Sequence, residues 1–231
     1  MKTIGRKGLA STAIFLAFTC VAAPSAIIIG MFTYPIEYEW YDKYLSAMGL
    51  VRLPDGSMNN CTCLLFNGAL VLAGLGSASY FLARGWNGMA GSKGILRTAN
   101  GLLMAIAGLV GGLGLVMIGL VPFDINPFWH NLGTFVAVAG FAPALLLCAV
   151  SPSSIFASRQ ANLSWGTFMA FACIISGAME GLRREELISG WTCGVCRQKL
   201  MVLFFFIFMA FHTALLLWRL RRGKPEADGL G

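Results

Sequence analysis

The chain is short of the side chains that do most chemistry. Asp, Glu, Lys and Arg together make up 12% of 231 residues, and histidine occurs twice. No G-x-x-x-x-G-K-[ST] loop, no G-x-G-x-x-G after a strand and no H-E-x-x-H pair is present, so phosphate-cradling, dinucleotide and zinc-protease sites have no sequence signature. No serine sits in a G-x-S-x-G elbow. His130 and His212 fall at different depths, which argues against a two-histidine metal or haem site, and no cofactor is expected. Repeats of fixed period and midplane charges, the marks of secondary transporters, are both missing. The alternation of a membrane barrel strand is missing too. Nor is there a long polar segment. The longest connection, residues 33–60, leaves no room for a separate soluble domain, so residues 1–231 read as one membrane domain.

What the chain has is apolar length. Hydrophobic residues are 57% of the sequence and the mean hydropathy is +0.73, values unlike those of a soluble domain. Six apolar stretches, about 9–32, 61–83, 98–121, 131–150, 164–180 and 200–218, approach the ~20 residues a helix needs to cross a bilayer. Helices are the spanning element because each backbone polar group in lipid must be satisfied within its own segment. The expected fold is therefore all-α, a single bundle of six transmembrane helices. Trp40, Trp86, Trp129, Trp165, Trp191 and Trp218 all lie in or beside the connections, the headgroup zone an indole prefers. Met1–Gly8 followed by Leu9–Val21 resembles a signal peptide, but the apolar run continues through Phe32, which favours a retained first span.

Charge sets the orientation. The net charge is +7, but it is scattered and has no aromatic interleaving, so nucleic acid is not a partner. Lys2, Arg6, Lys7, Arg84, Lys93, Arg97, Arg159, Arg219, Arg221, Arg222 and Lys224 fall on one side of the bundle. Lys43, Arg52, Arg183, Arg184, Arg197 and Lys199 fall on the other. The positive-inside rule then places both termini in the cytoplasm, in a plasma (inner) membrane, with residues 223–231 a flexible tail. Connections 33–60, 122–130 and 181–199 face outward. Small residues at four-residue spacing, Ala69, Ala73 and Ser77 in span two, Gly108 and Gly112 in span three, predict a close crossing of these spans. A homo-oligomer through the same faces is the alternative. Apolar or aromatic residues at 41, 44, 45 and 48 predict a short amphipathic helix in the first outer loop.

Two outer constellations could carry chemistry. Cys61, Cys63, Cys193 and Cys196 sit at outer span ends. They read as a disulfide staple between 61/63 and 193/196, as a thiol–disulfide exchange site passing electrons to a quinone, or as a four-thiolate zinc site, which an oxidising face disfavours. Asp124, His130 and Asn131 fall in one outer turn, with Ser46 in the loop on the same side and Asn67 inside span two. An Asp–His pair can act as a base for hydrolysis of a lipid. The same polar set suits binding of a lipid headgroup, since polar groups near lipid are costly. His212 reads as an interhelical hydrogen-bond donor.

Tyr44-Leu45-Ser46-Ala47-Met48-Gly49, Phe66-Asn67, Gly119-Leu120-Val121-Pro122-Phe123-Asp124 and His130-Asn131 resemble the bacterial six-span membrane family catalogued as domain of unknown function 998. More distantly the chain is similar to the Frag/DRAM/Sfk membrane proteins. The resemblance implies a six-helix bundle with cytoplasmic termini and a polar cluster of Ser46, Gly49, Asn67, Pro122, Asp124, His130 and Asn131. It also implies membrane lipid as the ligand class, because the eukaryotic relatives are associated with lipid remodelling. The outer cysteines are not part of the family pattern.

Overall fold

A chain in hydrocarbon closes its own backbone hydrogen bonds, and the apolar stretches do so as helices. The computed structural model describes residues 4–40, 42–90, 94–151, 163–164, 166–169, 172, 174–175 and 191–222, apart from the side chains of 191–194 and 196–197. Five long helices run through it: α1 (Arg6–Phe32), α2 (Asn60–Ala90), α3 (Ile95–Leu120), α4 (Pro127–Val150) and α5 (Trp191–Arg222). Each holds a stretch long and apolar enough to cross a membrane. Of the expected fifth span, 164–180, the described residues are helical, and the remainder lies outside the described residues, as does the expected tail 223–231.

The described helices outrun the apolar stretches because hydropathy marks only the portion that meets hydrocarbon. The largest correction concerns the loop expected at 181–199. Helix α5 begins at Trp191, so the backbones of Cys193 and Cys196 belong to a helix rather than to a loop.

Helices α1, α4 and α5 have their loop-end termini beside the same set of connections. At this loop end lie residues 33–59 and the α3–α4 turn 121–126. At the opposite, terminus end, the Arg6 guanidinium donates to the Leu220 carbonyl at 3.0 Å, joining the start of α1 to the end of α5. Arg219, Arg221 and Arg222 occupy the last turn of α5, where positive charge complements the exposed carbonyls. Helix α4 starts sharply. The Asn126 side chain accepts from the Trp129 amide at 3.2 Å and Pro127 takes the first helical position, which needs no N–H.

Glycines bring the middle helices together. A Cβ on Gly112 would lie 2.5 Å from the Gly74 carbonyl oxygen, and one on Gly74 the same distance from the Gly112 carbonyl. The expected crossing of spans two and three is thus present as an α2–α3 seam within one chain. Gly111 and Gly114 point the other way, toward Phe141 and toward Gly133 and Ala137 of α4. Tyr80, Phe81, Met104, Leu145, Phe208 and Leu216 form the buried core of the terminus half. Outside, Phe32 and Ile95 are each 86% exposed and Leu64 is 75% exposed, an apolar surface of the kind that lipid covers. Trp86, Trp129 and Trp218, near helix ends, and Trp40 in the first loop are all about half-exposed, as an interfacial belt requires.

Candidate functional site

The first loop is held down by tyrosines. Tyr34 donates to the Ala47 carbonyl at 3.4 Å, and Tyr38 to those of Lys43 and Tyr44 at 3.1 and 3.0 Å. Burial, with the neighbouring Tyr34 second, raises the Tyr38 phenol above the usual tyrosine range. The amphipathic helix expected here is instead a single 3-10 turn, Leu45–Gly49. Among the described residues of its pattern Leu45 and Met48 are fully buried, packed against Ala23, Ile27, Phe66 and Ala69, and one turn suffices to deliver both. Helix α5 fastens the loop from the far side. Gln198 Oε1 accepts from the Leu45 amide at 2.7 Å. The Lys199 ammonium donates to the Trp40 carbonyl and lies 4.3 Å from the Trp40 ring centroid and 5.4 Å from that of Tyr38, a cation–π arrangement that stabilises by about 1–2 kcal/mol when desolvated.

Beyond the 3-10 turn the chain makes a tight hairpin. The Gly56 amide donates to the Leu53 carbonyl, and Gly56 takes φ +85°, a backbone conformation glycine adopts without strain. The chain then enters α2 at Asn59. That side chain is fully buried, and its Nδ2 donates to the carbonyls of Met48 and Leu50 at 2.8 and 2.9 Å. Two turns into α2, Asn67 Nδ2 donates to the Gly49 carbonyl at 3.0 Å and to Cys63 Sγ at 3.2 Å. Gly49 is required there, since a Cβ would sit 2.6 Å from Asn67 Oδ1. Both amides have one feature in common: Asn59 Oδ1 and Asn67 Oδ1 are buried without a hydrogen-bond partner.

Between the hairpin, the start of α2 and the end of α3 lies an open groove of about 550 Å³. Asn59, Asn60, Cys63, Leu64, Asn67 and Val71, at and after the start of α2, line it together with Gly119, Leu120 and Pro122 at and after the end of α3. Leu64 and Leu120 are largely exposed, so the groove opens onto the exposed apolar surface.

The five residues of the expected polar cluster do different jobs. Asp124 accepts from the Val51 amide at 3.0 Å and the Arg52 amide at 2.9 Å, tying the α3–α4 turn to the first loop. His130 is buried in the first turn of α4, where Nδ1 donates to the Val121 carbonyl at 2.9 Å and Phe123 meets the ring edge-on at 5.6 Å. Carbonyl acceptance fixes the proton on Nδ1, so His130 does not direct that N–H at Asp124. Ser46 lies half-buried within the 3-10 turn and Asn131 half-buried in α4. Of the five, Asn67 alone lines the groove. Asn67 and Asp124 are linked through the backbone they share, Gly49 to Arg52, rather than side chain to side chain.

The cysteine readings resolve in part. Cys61, which is exposed, and Cys63, half-buried, are free thiols, and Cys63 Sγ donates to the Gly49 carbonyl at 3.3 Å. The expected staple is therefore not present at 61/63; the side chains of Cys193 and Cys196 lie outside the described residues. No group of three metal-binding side chains occurs among the described residues.

Two polar placements differ from what the sequence suggested. Asn59 was readable only as the residue preceding a span. Arg84, assigned by charge counting to a connection, is instead inside α2 and 2% exposed. Its Nη1 donates to the Tyr80 hydroxyl at 2.9 Å. His212 of α5 is fully buried 5.6 Å from the Tyr80 ring and 4.4 Å from Phe208. The expectation of an interhelical hydrogen bond from His212 is corrected: neither ring nitrogen has a partner. Compared with family models, curated proteins and solved structures, the chain matches none of them.

Proposed function

We propose that this protein is an integral membrane protein, both termini cytoplasmic, that binds a lipid headgroup in the outward groove beneath its first loop. The observation that carries the reading is the pair of unpartnered amide oxygens, Asn59 Oδ1 and Asn67 Oδ1, on the residues lining that groove. A buried acceptor without a donor costs about 1–3 kcal/mol, so two at one site are capacity that a bound donor would use. Headgroup ammonium and hydroxyl groups are such donors, and the apolar wall of Leu64, Val71 and Leu120 suits the adjoining acyl chain. The basic end of α5 supports the orientation, and the distant resemblance to the lipid-associated Frag/DRAM/Sfk membrane proteins agrees with the ligand class. The hydrolase alternative lacks its Asp124–His130 pairing, because both groups are engaged with backbone.

Filling the groove tests the proposal. A Cβ on Gly68 would meet nothing within 4 Å, so Gly68→Leu occupies the space while leaving every hydrogen bond of the loop in place. Lipid co-purifying with wild type is expected to favour phosphatidylethanolamine or phosphatidylglycerol, which carry donors, over phosphatidylcholine, which has none. Gly68→Leu is expected to lose that preference. Identical lipid profiles for the two proteins would overturn the reading.

A further inference from the structure

Arg84 presents an electrostatic problem that the fold leaves open. A buried charge needs a partner, and an ionisable group within a membrane bundle normally pairs with another. Helix α2 places Tyr80 and Arg84 one turn apart on one face, against α4 and α5. The Tyr80 hydroxyl takes Nη1 at 2.9 Å and lies near the Cys148 thiol of α4. The guanidinium lies 5.9 Å from the Tyr80 ring centroid, and the His212 imidazole lies 5.6 Å from that centroid. No carboxylate pairs with Arg84 among the described residues.

What remains unused has a definite shape. Nε and Nη2 of Arg84 are both buried without partners, as are both nitrogens of His212. Nε and Nη2 form the side-on edge of the guanidinium, two parallel N–H groups spaced to meet two oxygens of one carboxylate or phosphate. A neutral imidazole adds one further N–H whichever nitrogen carries the proton. Cationic fork and imidazole therefore offer three donors, and the described surroundings offer no anion. The position agrees with an anion from the interface. Arg84 lies two residues from Trp86, which is about half-exposed, at the level where indoles and lipid phosphates sit.

We propose that Arg84 and His212 bind one oxyanion, a phosphate or a carboxylate group, between α2, α4 and α5 at the terminus end of the bundle. Two oxygens accept from the Nε/Nη2 edge and His212 donates a third bond. Tyr80 positions the guanidinium by holding Nη1. The site is separate from the outward groove and stands or falls independently of it.

The test is the thermal stability of the full chain with defined anions. In neutral detergent, inorganic phosphate and acetate are compared with chloride at matched ionic strength. In parallel, nanodiscs of phosphatidylcholine alone are compared with nanodiscs containing phosphatidylglycerol. Wild type is expected to gain about 3–5 °C in melting temperature in at least one arm, the shift that saturable binding gives a chain of this size. Gain with soluble anions identifies a free oxyanion. Gain only with phosphatidylglycerol identifies a lipid phosphate. Arg84→Met is expected to abolish the gain and, with no anion present, to melt no lower than wild type, because it removes an unpaired buried charge. Arg84→Lys keeps the charge but loses the fork, and is expected to lose most of the gain. No gain in either arm, or a full gain in Arg84→Lys, would overturn the proposal.

Discussion

Two identical substitutions on neighbouring turns of the bundle should have opposite signs. In Gly112→Ala the new methyl carbon would lie 2.5 Å from the Gly74 carbonyl oxygen, 2.8 Å from Ala78 Cβ and 3.1 Å from the Ala78 amide nitrogen. Backbone cannot swing aside as a side chain does, so α2 and α3 have to separate by most of an ångström. Overpacking of this kind costs about 1–3 kcal/mol, partly offset by the roughly 1 kcal/mol by which alanine exceeds glycine in a helix. The net expectation is a loss of up to about 2 kcal/mol. At Gly68 the added methyl meets nothing within 4 Å, and the helix-propensity term alone applies, a gain of up to about 1 kcal/mol. The helix-propensity term is common to both, so the two variants should differ by the overpacking cost, about 1–3 kcal/mol, although the chemical change is the same. Unfolding in mixed micelles with increasing sodium dodecyl sulfate, followed by far-ultraviolet circular dichroism, measures the difference. Midpoints shifted in the same direction, or separated by less than about 0.5 kcal/mol, would refute the claim that the α2–α3 seam is set by backbone contact.

Other consequences can be checked separately. Asp124→Asn leaves one carbonyl oxygen facing the amides of Val51 and Arg52, so deuterium uptake across residues 50–53 should rise several-fold. Because Asp124 is exposed, bundle stability should fall by less than about 1 kcal/mol; unchanged uptake would show that the carboxylate is not what ties the loop down. In single-cysteine variants Cys61 should react with a maleimide at least tenfold faster than Cys63, whose thiol is held between Gly49 and Asn67. Equal rates would contradict the hydrogen-bonded placement of Cys63.

The helical spans could be read from sequence because hydrocarbon imposes one strong requirement, apolar length, on each of them. The α2–α3 seam was legible for a related reason: glycine and alanine at four-residue spacing have few uses in lipid other than close approach. The first loop was harder. Its pattern at 41, 44, 45 and 48 fits a helix face, but tyrosine hydroxyls and Gln198 satisfy the backbone locally, and a single 3-10 turn brings Leu45 and Met48 inward. Sequence put Asp124 and His130 in one outer turn; Asp124 lies in the α3–α4 turn and His130 in the first turn of α4, and sequence could not show that backbone N–H and C=O groups would be their partners. Arg84 looked like a connection residue because a charge count places a basic residue near a span end outside it. Only the continuation of α2 to Ala90 puts it inside. Asn59 carried no pattern at all; its role comes from where the returning loop lies.

The first loop is fastened at two points that leave the ribosome at different times. Val51 and Arg52 meet Asp124 first, and the Leu45 amide waits for Gln198, 153 residues further along the chain. At about 5–20 residues per second, that interval is roughly 8–30 s. Every residue lining the groove lies between Val51 and Pro122, so its walls are complete well before α5 is made. In the growing chain the groove walls exist for seconds before α5 arrives to fasten the Trp40–Leu45 part of the loop.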